Sequence, residues 1–140
     1  MSQPYKTHLT YEVSYADTDR MGFVYYANYL VFFERTRSRL LADVGYPYPK
    51  LEADGFGLPV IEAHVDYRAS ATYGDLLDFH GWLDSHTATR LRVACEVRKQ
   101  GALLAVGYTV HACLNLQSMK PTRLPSRLAE TLAAPSDSHE

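Results

Sequence analysis

Two acidic side chains stand one residue apart near the start of the chain, at Asp17 and Asp19, and a glycine follows at Gly22. Soon after this glycine begins a segment whose apolar residues recur with the three-and-four spacing of an α-helix. The first N–H groups of a helix lack partners, and the dipole makes this end partly positive, so a helix start can stabilise a developing negative charge. A carboxylate just before such an end can act as base or nucleophile on a group whose oxyanion these amides hold. The arrangement favours acyl transfer.

The predicted helix begins near Tyr26 and ends at Gly45, because glycine readily closes a helix and Pro47 cannot continue one. Its wide apolar face is expected to lie against a sheet. Glu34 and Arg37 lie on or beside this face. We favour an ion pair between them over a second catalytic acid at Glu34, since a charge that faces a core needs a partner. The predicted apolar face consists of Tyr26, Tyr29, Leu30, Phe33, Leu40, Leu41 and Val44.

Segments with the two-residue alternation of β-strands surround this helix. The second of them places Ile61, Val65 and Tyr67 on one side, which predicts a half-buried strand. The dipeptide 100–101, Gln-Gly, predicts a hairpin turn, so the strands around it pair antiparallel. One long helix with several antiparallel strands predicts an α+β fold in which a single sheet wraps the helix. The predicted strands are residues 5–14, 58–69, 76–83, 90–99 and 103–116.

Two further segments complete the prediction along the chain. Residues 51–57 form a short polar excursion that suits one turn of helix. We expect one domain over residues 1–124, followed over residues 125–140 by a short helix and a tail. Ser126 is the candidate cap of that helix, and the final residues, APSDSHE, are expected to be disordered.

Composition excludes several function classes. The formal net charge of −2 argues against general affinity for nucleic acid or anionic membranes. No apolar run approaches the roughly 20 residues of a membrane span, and the first residues lack a signal-peptide layout, so we expect a cytoplasmic protein. The six histidines show no metal-ligand spacing, and the phosphate-binding, dinucleotide-binding and serine-hydrolase motifs are missing. We therefore expect no metal and no cofactor. Cys95 and Cys113 are predicted to be free core thiols.

The segment DTDRMGFVYYANYLVFFE, from Asp17 to Glu34, resembles the signature of hotdog-fold acyl-CoA thioesterases. The resemblance is to the 4-hydroxybenzoyl-CoA thioesterase family and the thioesterases associated with the Tol-Pal system. In that pattern an aspartate, a second aspartate two positions on and a glycine precede a V-[YW]-[YH] step into the helix. The step falls on Val24, Tyr25 and Tyr26.

The resemblance implies an antiparallel sheet of five or six strands curled around the long helix. It also implies that two domains pair edge to edge into a homodimer, which often assembles further into a homotetramer, with active sites at the dimer interface. By position, Asp19 corresponds to the catalytic carboxylate, and the backbone N–H of Tyr26 contributes to the oxyanion site. Gly22 would permit close approach of the thioester. Tyr26 stands where the Tol-Pal branch commonly has histidine, so no imidazole can act there.

Each of these residues has an alternative role that does not involve chemistry. Asp19 also suits a helix-capping residue, and Asp17 is interpreted as structuring the loop rather than as a second acid. Gly22 also suits a turn that needs positive φ. Val24, Tyr25 and Tyr29 are candidate walls of the substrate pocket, although tyrosines at helical spacing also suit a core. The candidate contacts to the phosphates of CoA are Arg68, Arg90 and Arg92.

We therefore expect hydrolysis of an acyl-CoA thioester to a carboxylic acid and CoA, with Asp19 as nucleophile or as base for a water. A hotdog hydratase or dehydratase is one alternative, but it would be expected to carry a histidine near the helix start. No histidine occurs between His8 and His64. A non-catalytic acyl-CoA-binding protein is the other alternative. Binding without turnover would identify it.

Overall fold

The computed structural model describes residues 6–133, which form a five-stranded antiparallel sheet around one long helix. Tyr5, with which the first predicted strand begins, and the predicted disordered tail both lie outside these residues. The strand order in the sheet is β1-β4-β5-β6-β3. The strands are β1 (Lys6–Glu12), β3 (Val60–Tyr67), β4 (Leu76–His86), β5 (Arg90–Lys99) and β6 (Ala102–Ala112). The predicted α+β architecture is confirmed.

Three helices and a second, small sheet complete the fold. The helices are α1 (Asn28–Asp43), α2 (Tyr48–Ala53) and α3 (Ser126–Ala133), and the small sheet contains β2 (Phe56–Gly57), β7 (Leu114–Asn115) and β8 (Lys120–Pro121). None of the helices in the described part of the chain has the length and apolar character needed to cross a membrane. The segment 103–116 is thus not one strand, because β7 leaves the main sheet to pair with β2. The helical turn expected in residues 51–57 begins earlier, at Tyr48.

The helix α1 packs on the inner face of the sheet through aromatic and aliphatic side chains. Phe32 stacks on Phe79 of β4 with ring centroids 4.8 Å apart, and Phe33 is completely buried. A Cβ atom on Gly107 of β6 would lie 3.0 Å from the Phe33 ring and 1.9 Å from the His64 carbonyl oxygen, so only glycine fits there. From Ala105 to His111, the buried positions of β6 carry small or polar residues, whereas Val106, Tyr108 and Val110 alternate with them and are half-buried.

The buried face of α1 differs from the predicted one at its first turns. The helix begins at Asn28, two residues later than expected, so Tyr26 lies in the preceding turn and is 62% exposed. Leu30 is also largely exposed, whereas Phe32, not predicted, is buried. The end of the helix was predicted correctly, since Gly45 adopts φ +89° directly after it. The buried face consists of Tyr29, Phe32, Phe33, Thr36, Arg37, Leu40 and Leu41.

The predicted ion pair between Glu34 and Arg37 is wrong. Arg37 is buried and donates from Nε to the Tyr48 hydroxyl at 2.8 Å and from Nη1 to Thr109 Oγ1 at 3.4 Å. Glu34 is exposed, and no ion pair joins it to Arg37 within residues 6–133. The arginine thus obtains its hydrogen bonds from α2 and from the sheet, which helical spacing alone does not reveal.

The strand β3 is more exposed than the predicted half-buried strand. It forms one edge of the sheet, and Ile61 and Tyr67 are 48% and 45% exposed. An edge strand leaves one row of backbone N–H and C=O groups without partners within its own chain.

Near the end of the described chain, α3 contributes Leu128 to the core. Cys95 and Cys113 are buried free thiols, as predicted.

Candidate active site

The loop that carries the two aspartates is a short hairpin closed by backbone hydrogen bonds. The Asp19 N–H donates to the Phe23 carbonyl at 2.8 Å, and the Gly22 N–H donates to the Asp19 carbonyl at 3.0 Å. Gly22 adopts φ +86°, a conformation that L side chains rarely take. The predicted turn role of Gly22 is confirmed. Its predicted role in admitting the thioester stays a prediction.

The carboxylate of Asp17 holds this loop to the rest of the molecule. Its Oδ2 accepts the Tyr11 hydroxyl at 2.5 Å and the Ser14 N–H at 2.9 Å. Its backbone carbonyl accepts the Tyr25 N–H and the Asn28 side-chain amide, both at 2.9 Å. Four hydrogen bonds from four residues converge on Asp17. The residue structures the loop, as its turn position predicted.

The carboxylate of Asp19 is exposed and has a different environment. Its Oδ1 accepts the Met21 N–H at 2.9 Å, which fixes the side chain over the turn. It does not cap α1, because the N-cap position is occupied by Ala27, with no side-chain cap bond. The capping alternative for Asp19 is therefore wrong. A carboxylate can accept several hydrogen bonds, so the bond with Met21 leaves Asp19 with further acceptor capacity.

The turn before α1 presents backbone N–H groups. The Asn28 N–H bonds the Tyr25 carbonyl at 2.9 Å, so Tyr26 and Ala27 are the central residues of a tight turn. Within residues 6–133 we find no acceptor for the Tyr26 N–H, whereas its carbonyl accepts the Tyr67 hydroxyl at 2.8 Å. An N–H without a partner at the positive end of a helix can donate to an oxyanion. This is the group that the resemblance assigns to that role.

A cavity of about 320 Å³ opens beside this turn. Two of its tyrosines pack edge to face, with the ring centroids of Tyr29 and Tyr67 5.3 Å apart. Burial raises the pKa of the Tyr29 and Tyr67 hydroxyls, so both remain protonated at neutral pH and can donate hydrogen bonds. This tyrosine cavity is lined by Val24, Tyr26, Tyr29, Tyr67, Arg68, Ala69 and Ser70.

The cavity brings together four of the residues singled out from the sequence, namely Val24, Tyr26, Tyr29 and Arg68. Tyr67, Ala69 and Ser70 also line the cavity and were not predicted. They follow one another around Arg68, but nothing in strand alternation shows that this strand end meets the start of α1. Asp19 lies outside the lining. The hydrogen bond with Tyr26 is the main cause that raises the Tyr25 pKa, and the negative charge of Asp19 makes the smallest contribution.

The three candidate arginines do not share one site within a protomer. Arg68 lines the tyrosine cavity and pairs with Asp66 at 2.8 Å. Arg92 lies over the Tyr108 ring on the outer sheet face, 3.6 Å from its centroid, with Asp84 Oδ2 at 2.9 Å from its Nε. Arg90 and Arg92 line a separate cavity of about 200 Å³. Any role of Arg90 and Arg92 in binding CoA stays a prediction.

Metal ligation has no structural basis in the described residues. Across residues 6–133, no three histidine, cysteine or acidic side chains cluster closely enough to hold an ion. The groups at the candidate site are a carboxylate, tyrosine hydroxyls and backbone amides. These groups suit acid–base or nucleophilic acyl chemistry.

Comparisons with known proteins identify the family. A model of the thioesterase-like superfamily matches residues 13–132. The chain is 33% identical to YneP of Bacillus subtilis over 111 residues, which cover 79% of this chain and 80% of that protein. It is 31% identical to the acyl-CoA thioester hydrolase YbgC of Escherichia coli, over 83% of this chain and 87% of that protein.

A solved structure supports the same assignment. The DHNA-CoA thioesterase from Staphylococcus aureus superposes with a TM-score of 0.88 at 27% identity, covering 92% of this chain and 89% of that one. The structural superposition and the sequence matches each cover most of the chain. The chain therefore belongs to the thioesterase-like superfamily and has its hotdog fold.

Proposed function

We propose that this protein hydrolyses acyl-CoA thioesters to a carboxylic acid and free CoA. The observation that carries the proposal is that the segment before α1 holds both an exposed carboxylate, Asp19, and an N–H that lacks an acceptor, that of Tyr26, which lies at a cavity walled by tyrosines. The printed name of the E. coli relative, an acyl-CoA thioester hydrolase, supports the same reaction.

In this reaction the thioester carbonyl oxygen accepts the Tyr26 N–H, and the start of α1 stabilises the charge that develops on it. One such donor is worth about 3 kcal/mol in the transition state. Asp19 then attacks the carbonyl carbon and expels the CoA thiolate, which takes up a proton, and water hydrolyses the resulting anhydride. In the other route Asp19 takes a proton from a water that attacks the carbonyl directly. Both routes need Asp19 ionised.

The proposed active unit is a homodimer that pairs through β3. This strand offers an unpaired backbone row and the exposed side chains of Val60, Ile61 and Tyr67. Pairing two copies along this edge would extend the two sheets into one and cover these apolar groups. We further expect such dimers to assemble into a homotetramer. We place the protein in the cytoplasm, where buried free thiols such as Cys95 persist.

Release of thiol from a panel of acyl-CoAs, followed with a chromogenic thiol reagent, tests the function. Turnover of at least one acyl-CoA by the wild type, and its loss in Asp19→Asn, is the expected result. Tight binding of acyl-CoA without thiol release would instead establish the non-catalytic binding protein. Thiol release by Asp19→Asn at the wild-type rate would remove Asp19 from the mechanism.

A further inference from the structure

The last residue of β3 holds the turn that carries the candidate oxyanion donor. Tyr67 lines the tyrosine cavity, and its hydroxyl donates to the Tyr26 carbonyl at 2.8 Å. The N–H without an acceptor lies on the other side of the same Tyr26 Cα atom. Because each peptide group is planar and rotates only about the bonds to its Cα atoms, a restraint on this carbonyl also limits how the N–H can turn.

Few other contacts hold the carbonyl of Tyr26. The Tyr26 side chain is largely exposed, and Ala27, at the N-cap position of α1, forms no side-chain cap bond. The carbonyl also accepts the Tyr29 N–H, but at the longer distance of 3.2 Å. The hydroxyl of Tyr67 is thus the closer of these two donors, and it is the one that comes from the sheet.

Tyr67 can restrain the turn because its own position is fixed on two sides. Its backbone pairs with Ala105 of β6, and the N–H of the next residue, Arg68, donates to the Leu104 carbonyl at 2.8 Å. Its ring packs edge to face against Tyr29, which is only 3% exposed. The hydroxyl is therefore held by a paired strand end and by a core ring.

The hydroxyl of Tyr67 is a donor at neutral pH, and its hydrogen is already in use. Burial is the main cause that raises the pKa of Tyr67, so the group stays protonated well above neutral pH. A hydroxyl carries one hydrogen to donate, and this one goes to the Tyr26 carbonyl. The hydroxyl thus fits a role in orienting the turn better than donation to the acyl group.

We propose that Tyr67 is a positioning residue for hydrolysis, which holds the Tyr26 carbonyl and thereby aims the Tyr26 N–H at the developing oxyanion. This inference rests on the proposed function, since it explains how the same oxyanion site is oriented. A hydrogen bond weakens as its angle departs from linear, so a rotated N–H stabilises the oxyanion less. The thioester carbonyl carries less charge before the reaction, so the effect falls on the transition state rather than on substrate binding.

Tyr67→Phe tests the assignment, because it keeps the ring and removes only the hydroxyl. We expect kcat for thiol release to fall about three- to tenfold, the net effect of one hydrogen bond, while KM stays near its wild-type value. The dissociation constant of S-hexyl-CoA, a thioether without the carbonyl, should not change. The fall in kcat should be the same for short, long and aromatic acyl-CoAs, since all of them share the thioester carbonyl.

A second measurement follows the turn itself and does not depend on activity. The Asn28 N–H closes the turn by donating to the Tyr25 carbonyl at 2.9 Å. Without the Tyr67 hydroxyl the turn should open more often, so hydrogen exchange of the Asn28 N–H, followed by NMR, should be faster in Tyr67→Phe. Equal exchange rates in the two proteins would contradict the positioning role, even if kcat fell.

Tyr108→Phe is the matched control. The Tyr108 hydroxyl donates to Glu62 at 2.7 Å, and Tyr108 does not line the tyrosine cavity, so this variant should keep the wild-type kcat. An unchanged kcat in Tyr67→Phe overturns the inference. A raised KM with kcat retained, or a loss that depends on the acyl group, also overturns it, because either result places the hydroxyl on the substrate. Absence of turnover by the wild type with every acyl-CoA would reject the proposed function itself, a different result from turnover that Tyr67→Phe leaves intact.

Discussion

The hydroxyl of Tyr67 donates a 2.8 Å hydrogen bond to the backbone carbonyl of Tyr26. This bond joins the last residue of the edge strand β3 to the turn that presents the candidate oxyanion N–H. The ring centroids of the same two residues lie 6.4 Å apart, edge to face. A second copy that pairs with β3 would restrain Tyr67 and, through it, this turn. The proposed dimer interface and the proposed oxyanion site are thus one connected structure.

We predict that Asp19→Asn lowers kcat for acyl-CoA hydrolysis by about 10²–10⁴-fold, the usual contribution of a general acid or base. The asparagine oxygen can still accept the Met21 N–H, so the loop and the thermal midpoint should change little. Steady-state thiol release and circular dichroism melting provide the two measurements. A variant that keeps most of the wild-type kcat would contradict the assignment.

We predict the opposite pattern for Asp17→Asn. An amide cannot replace the charged acceptor that receives both the Tyr11 hydroxyl and the Ser14 N–H, and the loss should be about 1–3 kcal/mol of unfolding free energy. A lower midpoint in urea, with kcat largely retained, is the expected result. If Asp17→Asn instead removed activity at full stability, the roles of the two aspartates would have to be exchanged.

Local sequence patterns predicted much of the fold and the loop chemistry. Alternation located the strands, helical spacing located α1, and the spacing from Asp17 to Gly22 located a turn that needs positive φ. These features depend on residues close in sequence. The lining of the tyrosine cavity by Tyr67 was missed, because its contact with Tyr26 spans 41 positions. The partners of Arg37 were mispredicted because both lie outside α1, Tyr48 11 positions away and Thr109 72 positions away.

We predict that stability falls as the pH drops from 6.5 toward 4, in part because of His111. Burial lowers its pKa to about 4 in the folded chain, so the unfolded chain, with a pKa near 6.5, binds more protons over this window. The stabilisation is complete above pH 6.5 and is lost as the pH falls toward 4. The full loss is on the order of 3 kcal/mol at 1.36 kcal/mol per pKa unit.

Urea unfolding at several pH values between 7 and 4 measures this effect. Wild type and His111→Gln should be compared, because glutamine cannot titrate while other acidic groups still do. The pH slope should be smaller in the variant, even though its stability at pH 7 is reduced by the loss of the bonds to Thr109 and Leu58. Equal slopes in both proteins would show that His111 does not carry the pH dependence.

We predict that Ile61→Lys separates the proposed dimer into monomers. Ile61 lies on the edge strand β3 with 48% of its surface exposed, and a lysine there would place a charge in the proposed interface. Light scattering after size-exclusion chromatography gives the mass, and kcat/KM should fall with it because loss of the partner frees Tyr67 and, through its hydrogen bond, the turn that presents the Tyr26 N–H. Leu76→Lys is the matched control. Leu76 is also exposed, but β4 is separated from β3 by β5 and β6, so this variant should keep the wild-type mass and activity. If Ile61→Lys retained the mass of the wild-type assembly, pairing through β3 would be ruled out.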